Sequence, residues 1–352
     1  MILDNRKRRI LQAIVDDYID TAEPVGSRTI ARKHELGLSS ATIRNEMADL
    51  EEMGYLEQPH TSAGRIPSDK GYRYYVDELM QVKELTEEEI RNIEQAMEVR
   101  VSEIGQLIKL ASTVMSRFTK YTSMAVTPNM KKSLLKAVQV VPVETGKALV
   151  VVVTNTGMVK NFLIKISDSI VSEDLIKVSN MLNDKFANFA IEDIKQPSIK
   201  DMGNEIEVPR DILLPVIEKV VGCIKQIDAP EVFIDGVTNI FNYPEFRNVA
   251  KAREFLSTLD EKENLSKILS STGQNNNSVS VRIGTENILD EIKECSLLTA
   301  TYSLGNVVIG SLGVIGPTRM EYPRVISSIN YIRKKINEEI SKLLEEGLEI
   351  DT

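Results

Sequence analysis

Ser39-Ser40-Ala41-Thr42-Ile43-Arg44-Asn45-Glu46-Met47-Ala48-Asp49-Leu50-Glu51, closed by Gly54-Tyr55-Leu56, is the stretch whose reading decides the fold. Ile43, Met47 and Leu50 fall at i, i+4 and i+7, which predicts one buried stripe on a helix over Ala41–Met53. Ser39 or Ser40 supplies the N-cap, and Gly54 stands where a C-terminal glycine lets the chain turn left-handed. With the stripe inward, Ser40, Thr42, Arg44 and Asn45 face outward near the helix start. Arg can read guanine with two hydrogen bonds and Asn can read adenine. The hydroxyls suit phosphate oxygens. Any of these side chains alone equals ordinary solvated surface, so the surrounding order has to carry the reading.

Upstream, Asp4 caps a helix with an apolar face of Leu11, Ile14, Val15 and Tyr18, broken at Glu23-Pro24-Val25-Gly26. Ser27 caps a short second helix through His34. Downstream, Tyr55–Gln58 reads as a strand, Pro59–Gly64 as a polar loop, and Arg65-Ile66-Pro67 as the return strand. Ser68-Asp69 opens a further helix through Tyr72, Tyr75, Val76 and Leu79. Helix, helix, turn, helix, ribbon is the order of a winged helix-turn-helix, whose third helix enters the major groove. The loop His60-Thr61-Ser62-Ala63-Gly64-Arg65 is the expected wing tip, with Lys70 and Arg73 close behind as further phosphate-positioning cations.

Beyond a boundary near Met80–Leu85, Thr86-Glu87-Glu88-Glu89 is a capping box that starts one long amphipathic segment reaching Phe118. Its stripe, and that of a final helix from Tyr322-Pro323 through Val325, Ile329, Ile332, Ile336, Ile340 and Leu343, suit either coiled-coil seams between subunits or core-facing helices, and are read as core-facing. Strands are expected at Ala137–Val141, Leu149–Val153, Val159–Ile166, Glu231–Ile234, Val279–Ile283, Leu297–Ser303 and Val307–Val314. Ser172–Ile227 reads as largely helical, interrupted by Pro197 and Pro209, and helices are expected at Tyr243–Leu259 and Glu263–Leu269. The class is α+β.

The 352 residues carry a net charge of -9, which excludes a protein that coats nucleic acid through bulk positive charge. The first eighty hold 11 Lys+Arg against 14 Asp+Glu, so the acids Asp16, Asp17, Asp20, Glu51 and Glu52 are expected to point away from DNA. Two separated cysteines and two histidines argue against a disulfide framework, a zinc site or a histidine triad. A charged N-terminus and short apolar runs predict a cytoplasmic protein without a signal peptide or membrane span. Gly310, Gly313 and Gly316 lie in a strand pattern and do not make a dinucleotide fingerprint. No cofactor, metal or catalytic constellation is expected.

The stretch from Ser39 to Glu51, with Gly54-Tyr55-Leu56, His60-Thr61-Ser62-Ala63-Gly64-Arg65-Ile66-Pro67 and Gly71-Tyr72-Arg73-Tyr74-Tyr75-Val76-Asp77, resembles the HrcA family of bacterial heat-inducible transcription repressors. Ile315-Gly316-Pro317-Thr318-Arg319-Met320-Glu321-Tyr322 resembles the same family. The resemblance implies a winged-helix domain over 1–82, a connecting helical region over 86–120, a GAF-like domain over 121–169 and 241–346, and an inserted dimerising domain over 170–240. It implies a homodimer on an inverted repeat, the CIRCE element, repressing chaperonin and DnaK-type chaperone operons. It further implies that the chaperonin GroEL keeps the repressor active until unfolded proteins occupy it. The competing expectations are a winged-helix regulator whose C-terminal domain senses a metabolite, and an enzyme fused to a DNA-binding module.

Overall fold

A computed structural model describes residues 3–61, 63–98, 104–127, 134–155, 159–194, 210–226, 231–261, 264–265, 268–269, 279–304 and 307–349. It is an α+β structure. The first eighty residues form a head: α1 (Asn5–Thr21), α2 (Ser27–Lys33) and α3 (Ser40–Glu52), then the ribbon β1 (Leu56–Glu57) and β2 (Ile66–Pro67), then α4 (Asp69–Tyr74), which runs on as a wider turn to Leu79. Asp4 caps α1 by accepting the Lys7 amide at 2.8 Å, as its position predicts. The cap of α2 differs from expectation: Gly26 precedes the helix and Ser27 lies inside it.

The expected single helix from Thr86 to Phe118 is two helices. The capping box at Thr86 and Glu89 opens α5 (Glu87–Met97), and α6 (Ile104–Thr119) packs back against it. The stripe is continuous in sequence because both helices bury their apolar side in one core, which also holds the head's Ile10, Ile14, Ile43 and Tyr72. Val101, part of that stripe, lies outside the described residues.

The body is a five-stranded antiparallel sheet. β3 (Thr122–Val126) and β7 (Val232–Asp235) pair at one edge, and β8 (Ser280–Ile283), β9 (Cys295–Leu304) and β10 (Val307–Pro317) complete the order β7-β3-β10-β9-β8. Successive strand residues take opposite faces. Ala125, Leu298, Ala300, Tyr302, Leu312 and Val314 face α6 and the final helix α10 (Tyr322–Glu349). Met124, Val126, Leu297 and Ile315 face α9 (Val249–Asp260) on the other side. Val325, Ile329, Ile332, Ile336 and Ile340 of α10 are all buried, so its stripe faces the core; the Leu343 side chain lies outside the description.

A third unit has its own core. β4 (Leu135–Glu144), β5 (Lys147–Thr154) and β6 (Val159–Lys165) form an antiparallel sheet. One face packs on α7 (Ser172–Phe186) and α8 (Arg210–Gln226) through Val138, Val150, Leu182, Val220 and Ile224. The expectation that residues up to 169 belong with the body's sheet is corrected here. The three strands share buried surface with the helices that follow them, not with β3 or β10. Val150 and Val152 are fully buried, while Leu149, Val151 and Val153 on the opposite face are only half-buried. Where the chain leaves and re-enters the body, the Thr127 amide donates to the Glu231 carbonyl at 2.9 Å, and the Glu231 amide donates to Thr127 Oγ1 at 2.7 Å.

Candidate nucleic-acid interface

The third helix begins at a formed cap. Ser39 Oγ accepts the Thr42 amide at 3.1 Å and lies 2.9 Å from Thr42 Oγ1. Ile43 and Leu50 are fully buried and Met47 nearly so. Arg44 and Asn45 are exposed, and neither makes a side-chain hydrogen bond or ion pair among the described residues. Glu46 is held on the inner flank, accepting Lys7 Nζ at 2.7 Å and Arg6 at 3.2 Å. That pairing, with Asp49 at 3.0 Å, raises the Lys7 pKa. The acids on this flank are thus tied to α1, and the start of α3 presents a cation and an amide.

The ribbon sits beside that start. Val25 bridges to the return side of the ribbon, its amide and carbonyl exchanging 2.9 Å hydrogen bonds with Arg65. Gly64 is required there, since a Cβ would stand 2.4 Å from the Val25 carbonyl oxygen. Gln58 Nε2 donates to the Thr61 and Ala63 carbonyls at 3.0 and 3.1 Å, which holds the loop tip. His60 and Thr61 are exposed at that tip; Ser62 lies outside the described residues. Between α3, the ribbon and the start of α2 runs an open groove of about 520 Å³, bordered by Ser27, Arg28, Arg44, Gln58, Thr61 and Arg65.

Three of these groove residues, Ser27, Arg28 and Gln58, were absent from the expected set. Arg28 is the second residue of the helix that opens after the Pro24–Gly26 break, and a cation at such a helix start was the available signal. Arg65 does line the groove but is not free: its Nε and a terminal nitrogen lie 2.8 and 2.7 Å from Glu51 Oε2. The expectation that Glu51 points away is therefore corrected, because it reaches across to Arg65. Asp17 is buried between α1 and α2 with Lys33 at 2.5 Å and His34 at 3.2 Å. Asp16 accepts the Tyr75 hydroxyl at 2.7 Å, and burial raises its carboxyl pKa.

Lys70 and Arg73 do not join the others. Lys70 Nζ donates to the Met53 carbonyl at 2.8 Å and lies 4.5 Å from the centre of the Tyr55 ring, at the far end of α3 from Ser39. Arg73 faces the body, with Nε 2.8 Å from Glu286 and a terminal nitrogen 2.6 Å from the Val281 carbonyl. Among the described residues no group of three or more His, Cys, Asp or Glu side chains could hold a metal ion, and no helix is long and apolar enough to cross a membrane.

Comparison with known proteins gives a consistent picture. A family model described as the HrcA protein C-terminal domain matches residues 105–326. The chain is 57% identical over 348 residues to the heat-inducible transcription repressor HrcA of Acetivibrio thermocellus, covering 99% of each. It is 58% identical over 348 residues to the repressor of the same name from Ruminiclostridium cellulolyticum, covering 99% of this chain and 100% of that one. A crystal structure of a hypothetical protein superposes with a TM-score of 0.68 at 23% identity, over 97% of this chain and 100% of the other, and shares the fold.

Proposed function

The chain belongs to the HrcA family of heat-inducible transcription repressors, and from that premise we propose that it represses chaperonin and DnaK-type chaperone operons by binding the CIRCE inverted repeat as a dimer. The head acts as a winged helix and the five-stranded body as a GAF-like domain. The separate unit of β4–β6, α7 and α8 joins two subunits. A two-fold dimer presents two heads to two half-sites, which is why its operator is an inverted repeat.

The observation that carries the reading is the capped start of α3, where Arg44 and Asn45 stand exposed and unpaired beside a groove bordered by Arg28 and Arg65. Arg44 and Asn45 read base edges in the major groove. Ser39, Ser40 and Thr42 hold phosphates at the helix start, and His60, Thr61, Ser62 and Arg65 approach the backbone from the wing. Arg28 joins them; Lys70 and Arg73 leave the set because their side chains are committed elsewhere. The chaperonin GroEL maintains the active dimer, and repression lapses when unfolded proteins compete for it.

The test is binding of purified protein to a labelled CIRCE duplex and to a scrambled duplex across salt, with and without GroEL. Selective binding strengthened by GroEL is expected. Absence of selective binding by folded dimer, even with GroEL present, overturns the operator assignment.

A further inference from the structure

The head shares an apolar core with the body, and its orientation there is further fixed by polar contacts that the DNA-reading scheme does not use. On the head, Asp69 and Arg73 lie on α4, directly after the ribbon. On the body, Gly284-Thr285-Glu286 follows β8. Asp69 Oδ2 accepts the Thr285 amide at 2.8 Å and its hydroxyl at 3.0 Å. Arg73 makes two hydrogen bonds to Glu286, one at 2.8 Å, and a third to the Val281 carbonyl at 2.6 Å. Gly284 has φ 54, and a Cβ there would stand 2.1 Å from the Asp69 carboxylate oxygens, so only glycine admits this approach. Beneath the latch the rings of Tyr72 and Tyr322 meet at 6.0 Å, both fully buried. A second tie lies on the other side of the head, where Arg319 donates to the Ile19 carbonyl at 3.0 Å and pairs with Glu245 at 2.5 Å.

These contacts constrain direction as well as distance. A planar guanidinium held at three points and a carboxylate held at two leave the head little freedom to swing. A reading head that cannot swing meets only half-sites placed at the angle its body dictates. One added base pair turns a half-site by roughly 35° about the DNA axis.

We propose that the latch of Asp69 and Arg73 onto residues 284–286 determines the half-site spacing this repressor accepts. The inference rests on the dimeric DNA-binding reading above. With the latch closed, the second head arrives already aimed, and the two half-sites are bound as one event. With it open, each head still reads its half-site, but the gain from linking them falls and spacing matters less.

The experiment uses the full-length dimer and four duplexes: CIRCE, the same half-sites with a spacer a few base pairs longer or shorter, and a single half-site. The variants are Arg73→Ala on the head and Gly284→Ala on the body, the second reaching the latch without altering any head residue. Wild type is expected to prefer CIRCE over re-spaced duplexes by tenfold or more. Both variants should lose about tenfold on CIRCE, bind all spacings within about threefold of one another, and bind the single half-site as wild type does. Variants that keep the wild-type preference overturn the inference. So does an equal loss on the single half-site, which would return Arg73 to the DNA surface. A DNA-independent arm places nitroxide labels at exposed Ala48 and Glu254 in labelled subunits diluted with unlabelled ones. The head–body distance should be narrow in wild type and broad in both variants; equal widths overturn the coupling. A wild type with a narrow distance that fails to select CIRCE defeats the operator assignment alone.

Discussion

Glu51→Gln is expected to make the protein bind DNA more tightly, with less sequence selectivity and a steeper dependence on salt. Glu51 Oε2 accepts two hydrogen bonds from Arg65, at 2.8 and 2.7 Å, on the wall of the groove beside α3. In the proposed complex the carboxylate thus cancels a cation that would face the phosphate backbone. Glutamine keeps a neutral oxygen in the same place, so Arg65 retains its position while its charge becomes available. One extra neutralised phosphate per head makes two per dimer. Each steepens the dependence of log K on log salt by about 0.9, or about 1.8 in all. At physiological salt that slope corresponds to roughly a thirtyfold rise in affinity for a scrambled duplex. The effect on folding is small, because both side chains are partly exposed, at 19% and 33%, and such pairs contribute at most about 1 kcal/mol. Fluorescence anisotropy with scrambled and operator duplexes, titrated across salt, reads both quantities. A slope unchanged within half a unit, or weaker binding by the variant, would refute the placement of Arg65 against phosphate.

Arg44→Ala should weaken operator binding by about 1–3 kcal/mol per half-site while leaving scrambled-duplex affinity nearly unchanged, measured by the same titration; equal loss on both duplexes would make Arg44 a phosphate contact. Ser39→Ala removes the oxygen that accepts the Thr42 amide, and should destabilise α3 by about 1 kcal/mol, seen as a lower denaturation midpoint at unchanged slope. Acid should loosen the latch. Partial burial pushes the Glu286 carboxyl up, but the Arg73 guanidinium and the Ile283 amide outweigh it and hold the pKa below its ordinary 4.5. A depressed folded value gives stability that is present above 4.5 and lost as pH falls through the lower, folded one. The melting difference between wild type and Glu286→Gln should therefore be present at neutral pH and vanish in acid; a difference constant with pH would contradict this.

What the sequence made legible was local. The caps at Asp4, Ser39 and Thr86, the buried triplet Ile43, Met47 and Leu50, and the last-helix stripe are all decided within one or two helical turns, and each stands where its pattern puts it. β3 was missed because Thr122-Ser123-Met124-Ala125-Val126 neither alternates nor runs β-branched. It is buried on both faces, so no polar side marks it. The break between α5 and α6 was invisible because both sides of it bury the same stripe. The grouping of β4–β6 with α7 and α8 depends on packing across long sequence separations, which periodicity does not carry. Site residues divided in the same way. The exposure of Arg44 and Asn45 follows from helix phase alone. The fates of Arg73, bound to a residue 213 positions away, and of Lys70, turned under α3, are set by tertiary contacts.

The position of β3 within the body has a consequence for how the chain is made. All five of its residues are buried, yet both strands that flank it are synthesised far later: β7 beyond residue 231 and β10 beyond residue 306. α10, which closes the core over α6 and the head, comes last of all. At ordinary translation speeds, the ribosome needs roughly 10–40 s to travel from β3 to the end of that core. Throughout this interval a nascent chain carries the apolar sides of α5, α6 and β3 without the surfaces that cover them. A chain built in this order carries its greatest hazard of aggregation before it is complete, since that apolar surface is covered only by its last segments.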